Sequence, residues 1–559
     1  MIKKRRLFTI LNKSTPSFLG LMFGLWFIGI ENVNPVNTKW ISKGDLLSSQ
    51  IQWNFYRKTP IIQWPITAIP NYGESLGTVV GSGIALVEIP LKLVNQVLPS
   101  NFQYFGLWIL ACFVLQGYFA AKILGHFNLS VIAKNIGSII FITSPILVLR
   151  IGELGHPMLA AHFLILGSIV LYLNNDQNDF KWLILLVISM LTNLYLFVIV
   201  YGVYIARVIQ NVVVQRNWVS IKANMQKVLY STFIAICVFV FLGYFNFRNS
   251  ELGSGFFRLD IYGLLNPGYA HETTFSWVAN LLDADHSSIR RFHDYEGVAY
   301  LGLAPLIGLI LYIQSIRLKN YRSEVANISG IILIATALFL VALSNRISIA
   351  GFEISYWWPT ILTDLRQAFR AATRFSWLIY YVLLLLGLVA LFRYASKGGK
   401  KTYLVGVLLL VHIIDIVPAV SHLHAKQTEF EERESSLSSS VWAEIAQSKD
   451  RLILYPNFDL QSLNDIEFSE IWHENWQDFA LFAIDEGLNT NFVYASRSMF
   501  TEIEKQNRAS RALLLKGEIT GTDIWLIGDE SLWKFMKASH KNLIFEQIDG
   551  YFVVYSKNE

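Results

Sequence analysis

Three arginines recur at a spacing of four in "TDLRQAFRAATRFSW": Arg366, Arg370 and Arg374. On an α-helix, residues four apart share a face and drift by only about 40° per step, so the spacing predicts a stripe of guanidinium groups. Guanidinium holds phosphate through paired hydrogen bonds, which suits an anionic lipid headgroup or a pyrophosphate leaving group. Snorkelling at a helix end is the alternative, and it accounts for one arginine better than for three. A second candidate is Asp45 in "SKGDLLSSQIQWNFYRKTP". Its carboxylate could accept a proton from an acceptor hydroxyl, although Gly-Asp before an apolar helix is equally a good N-cap. The spacing of Leu46, Leu47, Ile51 and Phe55 predicts such a helix, with Gln50, Asn54 and Arg57 off the apolar face. The third group is Glu153, His156 and His162 in "RIGELGHPMLAAHFLILG". Glu-x-x-His serves metal or acid–base chemistry, but polar residues at a helix end that simply meet water look the same. His162 lies deeper in an apolar run and reads as a histidine inside a helix bundle.

These groups must be positioned by membrane-spanning elements. Of the 559 residues 53% are hydrophobic and 16% charged, and the mean hydropathy is +0.41, too apolar for a soluble protein of this length. The net charge of +5 reflects lysines and arginines clustered in short loops, which points to topology and away from nucleic acid. The start carries Lys3, Lys4, Arg5 and Arg6 before an apolar run but has no small-x-small cleavage site, so an uncleaved first span is expected. Further spans are expected near 104 to 124, 131 to 149 and 158 to 173. The run 182 to 209 splits into a hairpin at "TNLY", and spans follow near 228 to 246, 298 to 316, 328 to 344, 376 to 394 and 402 to 420. Basic loops then alternate correctly for about eleven spans, with the N-terminus inside and the C-terminus outside. Val79 to Leu98 carries Glu88, Pro90 and Lys92. Each charge at mid-depth would cost roughly 2.5 to 3.5 kcal/mol, eased by i,i+4 pairing, so an interfacial or re-entrant helix is expected there.

The expected organisation is a transmembrane domain over 1–422, with residues 31–103 as its first outer loop, and a small α/β domain over 423–559 on the outer face. Short β-rich runs such as "RLILYPNF", "NFVYASR", "TDIWLIGDE" and "GYFVVYSK" alternate there with helix-compatible segments, after a linker "EFEERESSLSSS". The two cysteines, Cys112 and Cys237, both lie in apolar runs, so no disulfide is expected. The loop "DADHSSIRRFHD", 283–294, could bind a cation or be merely solvated.

The motifs "GDLLSSQIQWNFYR", "PNYGESLG", "EIPLKL", "GELGHPMLAAHFLILG" and "FRAATRFSW" together resemble the GT-C superfamily of integral-membrane glycosyltransferases, and within it the bacterial DUF6311-type proteins. The resemblance implies an enzyme of the bacterial inner membrane that moves a sugar, with inversion, from a polyprenyl-phosphate-linked donor to a glycan, lipid or protein acceptor. It implies Asp45 as acceptor base, with Glu153 and His156 as further catalytic groups. Arg366, Arg370, Arg374 and Arg57 would hold the donor phosphate, and Gln52, Trp53, Tyr72, Glu88 and His162 would contact the substrates. Some relatives use a divalent metal, so Asp45 and Glu153 become candidate Mg2+ or Mn2+ ligands. This chain departs from the pattern in having a lone Asp45 where some relatives have a pair, and Glu88 where an aspartate is expected.

Other readings compete. A flippase for lipid-linked glycans would place functional charges near the bilayer midplane, whereas the polar groups picked out above sit in outer loops. A polysaccharide polymerase would also carry outer-loop arginines, and a non-catalytic envelope assembly protein would leave Asp45 and the arginines dispensable.

Overall fold

The structure is a computed structural model that describes residues 2–73, 76–77, 81–215, 217–246, 257, 259–265, 269–270, 273–274, 276, 295–315, 325–349, 352–359, 369, 371–430, 433–457, 472, 475–492 and 500–556. It is mostly helical, with a small sheet near the C-terminus. Each position where the sequence suggests a span holds a helix, but length divides them. Phe105–His126, Leu194–Val214, Trp218–Leu242, Ala372–Ala395 and Lys400–Thr428 are long and apolar enough to cross a membrane. Val131–Ile142 and Pro145–Gly152, bent by 40° where Pro145 withholds an N–H, make a sixth if counted as one span.

Ser14–Ile28, Pro157–Leu173, Leu303–Ser315 and Ser329–Ala342 are apolar but shorter. Fourteen residues rise only about 21 Å, against a hydrocarbon core of about 30 Å. Among the described residues the expectation of about eleven spans therefore contracts to five or six helices of spanning length. Hydropathy runs past helix ends, and the segment near 298 to 316 shows why. Its helix begins only at Leu303, because Gly302 takes φ +86° and its position faces the His412 ring, 2.1 Å from where a Cβ would sit. The long run 182 to 209 does break into two helices, at Asn193, whose backbone is extended and whose side chain accepts the Tyr195 N–H at 2.9 Å.

The chain divides into two compact units. The first comprises Met1–Trp40, Pro99–Val238 and Gly253–Phe430 and holds the long apolar helices. The second comprises Ile41–Leu98, Phe239–Leu252 and Glu431–Glu559. The helix Lys400–Thr428 runs through the boundary expected at residue 423.

In the second unit five strands pair in the order Leu543–Ile548, Tyr551–Ser556, Asp523–Ile527, Arg451–Tyr455, Asn489–Thr490. The two strands that follow Asp523 are antiparallel additions to a parallel core. Asp549 and Gly550, both at positive φ, turn the hairpin between Leu543–Ile548 and Tyr551–Ser556 as an Asp-Gly pair should. Trp525, Ile527, Leu532, Met536 and Val554 pack beneath the sheet.

The serine-rich stretch expected as a linker is tied down instead. Asp549 accepts from the backbone of Ser438 and Ser439 and from the Trp442 indole, and Arg433 clamps Asp478 at 2.7 Å. Of residues 31–103, read above as the first outer loop of the membrane part, Ile41–Leu98 belong to this same unit. Asn71 and Gly73 exchange backbone hydrogen bonds with Thr490, which extends the sheet edge through Tyr72. Val79 to Leu98 contains the helix Ala85–Leu93, nine residues and too short to span.

Candidate functional site

Two arginines of the first unit converge on a carboxylate that the sequence pattern does not single out, Glu296. It follows the loop 283–294, which lies outside the described residues together with Arg366 and Arg370. Arg150 donates from Nη1 to Glu296 Oε2 at 2.7 Å and from Nη2 to the Glu296 carbonyl at 3.0 Å. Arg374 grips the same carboxylate with two bonds, Nε to Oε2 at 3.2 Å and Nη2 to Oε1 at 2.8 Å. Burial works against the Glu296 charge, but the two guanidinium groups outweigh it and hold its carboxyl well below the usual carboxylate range.

Two guanidinium groups thus meet on one buried carboxylate. The aromatic rings of Trp377 and Tyr195 flank them, at 5.3 Å from the Arg150 and 4.8 Å from the Arg374 guanidinium carbon. Guanidinium groups hold phosphate through paired hydrogen bonds, and keeping such cations out of water is costly without an anion beside them.

Arg374 does not stand on the α-helical stripe that the spacing predicts. It lies in a 3-10 turn, Ala372–Ser376, that precedes the helix Trp377–Ala395. The local backbone donors explain the change, because the Ala371 N–H goes to the Tyr195 hydroxyl at 3.0 Å and the Thr373 N–H to the Phe257 carbonyl at 3.3 Å. Those bonds take N–H groups that an α-helix would direct to its own preceding turn.

The Glu153 loop is also in this unit. Lys426 Nζ bonds both Glu153 oxygens, at 3.1 and 3.0 Å. An ammonium therefore occupies the place a divalent ion would take, and the reading of Glu153 as an Mg2+ or Mn2+ ligand does not fit. Among the described residues no group of three or more His, Cys, Asp or Glu side chains could hold a metal. His156 is buried beside the arginine cluster, and its backbone N–H reaches the Arg150 carbonyl at 2.8 Å. His162 is fully buried, its ring tilted against Trp377 at 4.3 Å between centroids, with Nδ1 2.8 Å from the Tyr381 hydroxyl. It is a bundle-interior histidine, half satisfied, since Nε2 has no hydrogen-bond partner.

A second polar cluster lies in the long helix Lys400–Thr428. Asp415, fully buried, accepts from the Ser276 hydroxyl at 2.7 Å and the Tyr300 hydroxyl at 2.6 Å. One turn earlier His412 is buried with neither ring nitrogen hydrogen-bonded. The signal was present in "VHIIDIV", an ionisable pair inside an apolar run. The same rule applied to Arg150 in "PILVLRIG" would have called for a buried carboxylate such as Glu296.

The candidates of the second unit lie on or around the helix Gly44–Arg57, which forms where the apolar spacing predicts it. Eleven of its fourteen residues are buried, so Gln50 and Arg57 are enclosed and not on a solvated face. Asp45 is not the N-cap, a position held by Lys43. Gly44 takes φ +68°, which favours glycine, and Asp45 follows in the first turn, where the helix dipole favours a carboxylate. It is half-buried, one of three residues of the helix that are not fully enclosed.

The other side chains here are engaged in packing. Arg57 donates from Nε to Asn95 Oδ1 at 2.6 Å and lies over the Trp53 ring at 5.5 Å. Trp53 is fully buried, and Gln52 Oε1 accepts the Ser82 N–H at 3.1 Å. Tyr72 stacks on Phe55 at 4.5 Å. Glu88 is fully buried, and its charge, after burial itself, raises the Tyr56 hydroxyl. Lys92 points at Thr59 Oγ1, 2.5 Å away, and over the Tyr56 ring at 4.1 Å. Burial lowers the Lys92 ammonium to about 8.

The sequence matches the family described as a domain of unknown function, DUF6311, over residues 17–417, and the DUF6311 C-terminal domain over residues 441–556. No curated protein matches the chain.

Proposed function

We propose that this chain, which belongs to the DUF6311 family, is a multi-pass membrane glycosyltransferase of GT-C type that uses a polyprenyl-phosphate-linked sugar. The observation that carries the reading is the Arg150–Glu296–Arg374 cluster, which sets two guanidinium groups together between aromatic rings. In the reaction, an acceptor hydroxyl oxygen bonds to the anomeric carbon as the bond from that carbon to the phosphate oxygen breaks. The phosphate leaves with the electron pair, and the arginines stabilise its charge. The hydroxyl proton goes to a carboxylate, and the resemblance to GT-C enzymes gives that role to Asp45. In an eleven-span arrangement the basic loops fall on alternate sides, with the N-terminus cytoplasmic and the carboxy-terminal residues outside, in a bacterial inner membrane.

A second reading, a transporter of lipid-linked glycans, is favoured by one specific feature. Asp415 and His412 are buried midway along a helix of spanning length, where proton or substrate pathways place ionisable groups. The test is complementation of the surface-glycan profile of a deletion strain by Asp45→Asn, Arg374→Lys and Asp415→Asn, at matched membrane levels. Loss with Asp45→Asn and Arg374→Lys supports transfer. Loss with Asp415→Asn alone supports transport, and wild-type glycan from both of the first two variants overturns the transferase reading.

A further inference from the structure

Between the helices Asp179–Thr192, Leu194–Gln215 and Trp218–Leu242 lies a cavity of about 550 Å³, within the range of roughly 300 to 1,000 Å³ of small-ligand pockets. Trp182, Leu186 and Tyr204 form its apolar wall, and Asp179 and Lys227 stand on its lining. The Asp179 carboxylate meets two cations, Arg207 Nη1 at 3.1 Å and Lys227 Nζ at 2.8 Å. The nearby Asp176 is taken by Lys181 at 2.6 Å, so it does not cancel the excess.

Arg207 is a built feature of the site. Only 2% of its side chain is exposed, its guanidinium lies over the rings of Trp182 and Tyr204, and its Nε has no hydrogen-bond partner. Lys227 is by contrast partly open to solvent. Tyr230, also on the lining, is largely exposed, so the cavity is continuous with the outside of the helix Trp218–Leu242. That outside is apolar, and this helix is the least buried of those long enough to span.

The geometry points to a bound diacyl phospholipid with an anionic headgroup. Its phosphate meets Lys227 beside the Asp179–Arg207 pair, and its chains run along the apolar wall. The unbalanced cation selects the charge, because basic pockets between spanning helices suit anionic headgroups. The apolar wall, continuous with an apolar outer surface, selects a lipid over a soluble anion. The inference stands apart from the transferase reading and uses none of its residues.

Full-length protein purified in mild detergent, incubated with equal amounts of phosphatidylglycerol and phosphatidylcholine, is read by native mass spectrometry for retained lipid. Wild-type protein is expected to retain one phosphatidylglycerol in preference. Lys227→Gln should lower the ratio roughly fivefold, about 1 kcal/mol at 1.4 kcal/mol per factor of ten, and Lys227→Arg should restore it. Equal retention of the two lipids by wild type, or an unchanged ratio in Lys227→Gln, overturns the proposal.

Discussion

The helix Gly44–Arg57 and the Arg150–Glu296–Arg374 cluster each hold residues expected to do chemistry, and they use polar groups in opposite ways. In the helix, polar side chains satisfy neighbours of the same unit: Arg57 bonds Asn95, Gln52 bonds Ser82, and Gln477 reaches back to the Gly44 carbonyl. Lys58 likewise donates to the Ile484 carbonyl. In the cluster, ionised groups are set against one another, two guanidinium groups on one carboxylate. A polar segment is therefore weak grounds for a site when every group has a structural acceptor. A buried set of ionised groups is stronger grounds, because well-packed apolar residues of similar volume are often at least as stable.

The contrast can be broken experimentally. Glu296→Ala is expected to have the largest effect, about 3 to 5 kcal/mol of destabilisation, since it strands two buried guanidinium groups. Thermal unfolding of the detergent-solubilised protein measures it, and a shift within error of wild type would mean that the cluster is not enclosed as described. Arg57→Leu should cost less, about 1 to 3 kcal/mol in the same measurement, because it leaves the Asn95 acceptor without its donor.

Lys92 gives a pH signature. Its folded value, about 8, lies below the ordinary lysine value of about 10.4, so between those values the unfolded chain binds more protons. Stability contributed by this group should rise as pH climbs through that window and stay flat below it. In Lys92→Met the rise should vanish, and its persistence would reassign it to another group. Asp45→Asn should change stability least, by about 1 kcal/mol or less, the size of a first-turn dipole interaction. A larger loss would move Asp45 from the chemical to the structural side of the comparison.

Local periodicity made much of the fold legible. The Gly44 helix, the break at Asn193 and the helices Val441–Ala446 and Glu530–Ser539 stand where apolar spacing and turn residues put them. Span lengths were less legible, because hydropathy does not register a backbone conformation such as that of Gly302. The strand Leu543–Ile548 went unread even though the Asp-Gly turn beside it was a direct signal.

For the candidate site, Arg374 was found by residue type and its partner was missed, since Glu296 is 78 residues away in sequence. No spacing rule reaches such a partner. The demand that a buried arginine be paired does, although it names no position. The polar character of residues 41–98 was visible, but its cause, docking on the carboxy-terminal sheet and helices, depends on contacts that only the folded unit brings together.

The most direct test of the central claim reads the donor itself. Lipid extracts from wild type, from a deletion strain and from that strain carrying Asp45→Asn at matched membrane levels are compared by mass spectrometry for polyprenyl-phosphate-linked sugars. The account predicts that one such species accumulates in the deletion strain and in Asp45→Asn and falls to the wild-type level on complementation with the unaltered chain. The same lipid-linked sugar profile in all the strains would contradict it.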